Sequence, residues 1–124
     1  MRHATRFWRD EFGGGAAEFA IVFLPFGVLV FAIIHMSLLF YANQSLEFAA
    51  QAAARCYSVD ATNCATSGAA QTFASGKYKG PNIGATFVAS ATGCGHTVTG
   101  SGNYSLNAVV ITRSIPLSAA ACFP

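Results

Sequence analysis

The chain has 124 residues, 53% of them hydrophobic and only 10% charged, with a formal net charge of +2. The length bounds the fold to one domain at most, and that balance is unusual for a soluble chain of this size. So small a positive excess lacks the basic stripe of a nucleic-acid-binding protein, and "GKYKG", with two lysines around one tyrosine, reads as a solvated loop.

The first residues are basic: Arg2, Arg6 and Arg9 precede Asp10 and Glu11, and the glycines Gly13, Gly14 and Gly15 follow. Three glycines in a row predict an accessible, unstructured backbone of the kind a protease needs. Glu18 comes next, at the first turn of a long helix, where the helix dipole favours a carboxylate; alone, it reads as a bland terminal charge.

From Phe19 to Tyr41, "FAIVFLPFGVLVFAIIHMSLLFY" is 23 residues without a formal charge when His35 is neutral. At about 1.5 Å per residue, a helix of this length crosses a hydrocarbon core of roughly 30 Å. A secretory signal peptide fits less well, because its apolar core is shorter and no A-x-A pattern closes this run. The expectation is an uncleaved anchor. With three arginines before the span and the next basic residue only at Arg55, the N-terminus is expected in the cytoplasm. Pro25 removes one amide donor and predicts a kink or local melting. His35 reads as a neutral histidine hydrogen-bonded to a neighbouring helix.

"YANQSLEFAAQAAARCY" continues the helix beyond the span. Leu46, Ala50, Ala53 and Tyr57 recur at helical spacing, with Gln44, Glu47, Gln51 and Arg55 on the opposite face. From about Ala16 to Tyr57 the helix is expected to run roughly 60 Å. Beyond Asp60 the texture is loop, with one short element near Ala69 to Ala74. Then "ATFVASA", "HTVTG" and "YSLNAVVITRSI" read as an antiparallel meander of about three strands, "TGCG" and "GSGN" being the turns and the last strand the clearest. The helix stripe covers the inner face of the sheet, so the fold class is α+β.

All four cysteines, Cys56, Cys64, Cys94 and Cys122, follow the span. An even number in a small exported domain predicts two disulfides rather than a zinc site, for which the close C-x2-C pairs are lacking. Sequence leaves three connectivities open, and loop length favours Cys56 with Cys64 and Cys94 with Cys122. Catalysis is not expected, and neither is a metal or cofactor. Beyond Tyr41 the acidic side chains are Glu47 and Asp60, and His96 is the only histidine, so paired-carboxylate chemistry would need those two together and a Ser-His-Asp arrangement would need Asp60.

The segment Gly13 to Phe19, together with the basic leader before it and the apolar run after it, resembles type IV pilins and the pseudopilins of Tad pili. Those chains carry a basic leader, a glycine, four residues, a glutamate and an aromatic, followed by the spanning helix. The resemblance is closest to the TadE-like family. Both "GGGAAEFAIVFLPFGVLV" and "NQSLEFAAQAAARCY" track it, so it covers about the first 57 residues.

The resemblance implies a pilin-like fold, with a leader over 1–13, a long helix over 14–57 and a small β-rich extracytoplasmic domain over 58–124. It implies cleavage between Gly13 and Gly14 by a membrane-embedded prepilin peptidase, Gly13 being the one glycine that makes Glu18 the fifth residue of the mature chain. It further implies an inner-membrane minor pilin of a Tad or type IVb pilus. Such a subunit assembles with other pilins through its N-terminal helix, supporting pilus biogenesis and adhesion, and Glu18, beside Phe19, meets the new α-amino group of a neighbouring subunit. A main Flp-type pilin is usually much shorter, which favours the minor role. Bare Gly14 departs from pilins whose mature chain starts with a bulky residue and leaves N-methylation open. The alternative from another class is an unprocessed, membrane-anchored binding or adaptor module.

Overall fold

A computed structural model describes residues 14–108 and 111–124. The leader and Gly13 lie outside the described residues, as do Val109 and Val110. Two compact units divide the chain, Met1–Met36 and Ser37–Pro124. Helix α1, Gly14–Val59, contributes to both. It is assigned as helix without interruption through Pro25, so the local melting expected there is not found. A helix tolerates an interior proline where local adjustment satisfies the freed carbonyl groups.

In the unit Ser37–Pro124, α1 is followed by α2, Ser67–Lys77, and by strands β1, Thr86–Thr92, β2, Gly95–Asn107, and β3, Thr112–Phe123. The strands form one antiparallel sheet in the order β1-β2-β3. Ala42, Leu46, Ala49, Ala50, Ala53 and Ala54 of α1 are buried in a core shared with Phe87, Ala89, Val98 and Tyr104 of the sheet. Leu117, Ala119 and Ala121 of β3 pack against it, half-buried. The α1 share of this core is mostly alanine, and Leu46 and Val98 are the largest of the core side chains to be fully buried. The α+β class and the helix-on-sheet packing are as the sequence predicts.

The strand boundaries are not. "GSGN" makes no turn: β2 runs straight through Gly100 and Gly102, and "YSLN" ends β2 rather than opening a strand. A Cβ at Gly100 would stand 2.7 Å from Phe87 Cε1 and 3.0 Å from Leu46 Cδ1, and one at Gly102 only 2.7 Å from Ile83 Cδ1. These glycines are there because other groups press onto the strand. The reversal comes later, where Ala108 and Ile111 exchange backbone hydrogen bonds of 2.9 and 3.1 Å. "TRSI" then opens β3, which continues through the alanine-rich "PLSAAACF". Alanine has little strand preference, and pairing with β2 overrides it.

Between α1 and α2, two features hold the chain. Cys56 is bonded to Cys64, with Cα atoms 5.7 Å apart. The Asp60 carboxylate accepts from the amides of Thr62 and Asn63 at 3.0 and 2.9 Å and from Asn63 Nδ2 at 2.8 Å. The Asn63 side chain, then the two amides, hold the Asp60 carboxyl below its ordinary value of 3.8. A group whose pKa is depressed on folding stabilises above its unfolded pKa and loses that contribution as pH falls through the folded value. The loss of thermal stability on acidification below the ordinary carboxylate range is therefore expected to be smaller in Asp60→Asn than in wild type. Equal losses in melting curves at neutral pH and near pH 3 would remove the assignment.

α2 is capped by Thr66, whose hydroxyl accepts from the Ala69 amide, and is longer than the short element expected at Ala69 to Ala74. It buries Ala70 and Ala74 and packs against β1. The following loop is tied to α1: the Tyr41 hydroxyl donates to the Lys79 carbonyl, and the Lys79 amide donates to Ser45 Oγ, both at 2.9 Å. The Tyr78 hydroxyl donates to the Pro81 carbonyl at 2.7 Å, and burial, then the Tyr41 phenol, pushes its pKa up.

Candidate functional site

The residues singled out for processing and assembly gather at the start of α1. Gly14 is its first residue, and Glu18 its fifth. Gly14 and Glu18 are one turn apart along the helix. The expected open backbone is corrected at Gly14 and Gly15, which are helical. Helical hydrogen bonding propagates back from Ala16, Ala17 and the apolar run, although each glycine costs about 1 kcal/mol against alanine. Gly14 and Gly15 thus weaken this stretch of α1.

Glu18 is exposed. Phe19, beside it, stacks on Phe23 one turn along, ring centroids 5.4 Å apart. Large apolar side chains follow, also uncovered, with Phe19 66% and Leu24 70% exposed. α1 is long and apolar enough to cross a membrane, and none of its most apolar stretch is buried inside the protein. Such a surface needs lipid or other helices around it, which makes α1 a candidate membrane anchor. Glu18 is the only formal charge on α1 between Gly14 and Tyr41. In either of those surroundings, the carboxylate requires a hydrogen-bonding or charged partner.

The other singled-out residues lie apart from this segment in sequence. Cys94 is bonded to Cys122, Cα atoms 6.5 Å apart, so all four cysteines are in the two disulfides that loop length favoured. Among the described residues, no three His, Cys, Asp or Glu come together as a metal site. His96 lies against the Tyr57 ring, centroids 4.0 Å apart. Sequence reading gave no role to Tyr41, Ser45 or Ser58, yet these hydroxyls hold the loop after α2 and the end of β3 to α1, Ser58 Oγ donating to the Phe123 carbonyl at 3.0 Å. A lone hydroxyl gives no local signal of a bond to a residue 65 positions away.

Neither a curated protein nor a solved structure matches the chain. A family model does: residues 13–55 match that of the family described as TadE-like protein. The match begins beside Gly14, takes in Glu18 and the whole apolar run, and ends within the part of α1 that packs on the sheet. Over this N-terminal third, the chain is similar to TadE-like proteins.

Proposed function

We propose that the protein is a minor pilin subunit of a Tad or type IVb pilus, cut between Gly13 and Gly14 by a prepilin peptidase and assembled with other pilins through α1. The observation that carries this reading is the TadE-like match over residues 13–55, a stretch that holds Glu18 and the uncovered apolar part of α1. Gly14 and Gly15 suit it, since a peptidase needs an extended substrate and two glycines make unwinding easy. Cleavage creates an α-amino group at Gly14 that Glu18 of a neighbouring subunit can meet. On this reading the chain is an inner-membrane protein with its N-terminus in the cytoplasm and the chain after Tyr41 outside, supporting pilus biogenesis and adhesion without catalysis of its own.

The test is the N-terminus of the protein recovered from piliated cells. Mass spectrometry is expected to find a chain starting at Gly14 when the cognate peptidase is present, and the uncut chain when it is absent. An intact Met1 in piliated cells would replace the pilin reading with that of an unprocessed membrane-anchored adaptor.

A further inference from the structure

The two edges of the sheet differ. α2 packs against β1, whereas β3 is the last strand on the other side. The register tells which amides of β3 point outward. Ala108 and Ile111 exchange both hydrogen bonds, so the odd-numbered residues of β3 face β2 and the even-numbered ones turn their backbone groups to the free edge. Thr112 and Ser114 come first on that edge, followed by Pro116, which has no donor to offer. Arg113 and Pro116 are devices that discourage strand addition. From Leu117 to Phe123 there is no charge and no proline, and the amides of Ser118, Ala120 and Cys122 point away from the sheet.

Beside this stretch lies a cleft of about 410 Å³, between Gln51, Ala54 and Arg55 of α1 and the end of β3 from Ala120 to Phe123. Among the described residues, Arg55 is the one charged residue that lines it, and no carboxylate does. We propose that the free edge of β3 from Leu117 to Phe123 takes up an extended acidic segment of another protein as a fourth strand, with a carboxylate of that segment meeting Arg55. Backbone hydrogen bonds to the outward amides supply the attachment, and the guanidinium sets the charge preference. The edge of a second copy fits less well: β3 carries Arg113 and no acidic residue, so pairing two copies leaves each Arg55 unmatched.

The test uses the full-length protein in detergent micelles. The probes are a short capped peptide of alternating threonine and valine with one central glutamate, and its lysine counterpart. The glutamate peptide is expected to bind saturably and about tenfold tighter than the lysine peptide, and Arg55→Glu is expected to invert that preference. Ala120→Pro deletes an outward donor while leaving the ladder to β2 intact, and should abolish binding. Slowed amide exchange at Ser118, Ala120 and Cys122 of the wild-type protein when the glutamate peptide is added gives the same answer without a variant. Absence of binding by both peptides overturns the proposal, as does equal binding of the two that Arg55→Glu does not alter. Self-association of the chain that Ala120→Pro abolishes and the glutamate peptide does not compete would assign the edge to a second copy instead.

Discussion

In cells whose only copy carries Glu18→Gln, the protein is expected to be cut after Gly13 at the normal rate while surface pili are lost. The substitution keeps the size and polarity of the side chain and leaves the scissile bond untouched. It removes the one formal charge on an otherwise uncovered apolar stretch of α1. When α1 leaves lipid for a bundle of like helices, that carboxylate and the α-amino group of a neighbour pass together into surroundings of low dielectric. Breaking such a desolvated pair by deleting one partner costs about 3–5 kcal/mol, because the other charge stays buried and unmatched. A loss of that size at the contact through which this subunit joins the other pilins keeps it out of the assembly, and pili that depend on it do not form. The measurement is a count of surface pili, made after immunoblotting confirms a processed protein at wild-type level. Normal piliation would return Glu18 to a terminal charge beside water, for which the same change is neutral or slightly favourable to insertion.

The second large effect concerns the disulfides. Replacing Cys94 and Cys122 together by serine is expected to destabilise the unit Ser37–Pro124 by about 3–4 kcal/mol, and the same change at Cys56 and Cys64 by about 2.5 kcal/mol, on the chain-entropy account of loop closure. The order follows from sequence separations of 28 and 8. A small domain has only about 5–15 kcal/mol in total, so either loss removes a large part of its margin. The larger one releases the end of β3 and the β1–β2 turn, leaving the edge strand held by its ladder to β2 and by Ser58. Denaturant unfolding of the oxidised proteins measures both. A Cys94/Cys122 double variant with a wild-type midpoint, or a larger loss at Cys56/Cys64, would contradict the loop-closure argument.

The sequence alone determined the parts of this protein whose cause is local or compositional. Twenty-three consecutive residues without a charge admit hardly any structure but a spanning or bundled helix, because no other element satisfies its own backbone in apolar surroundings. The helical recurrence of Leu46, Ala50 and Ala53 likewise identified the face that the sheet covers. The motif around Glu18 and the preferred cysteine pairing were also legible, the first as a spacing and the second from loop length. Tertiary structure decided what depends on close approach between distant residues. Read locally, Gly100 and Gly102 are turn formers, and only Phe87, Leu46 and Ile83 pressing onto them explain why the strand runs straight through. Read locally, "SAAAC" has little strand preference, and it becomes β3 because β2 offers a ladder of hydrogen bonds on one side. Which amides of β3 face outward was set by the register that Ala108 and Ile111 establish, since a shift of one residue would turn every backbone group to the other side. The cleft beside that edge exists because α1 brings Arg55 next to residues more than sixty positions later in the chain, a proximity that no local pattern encodes.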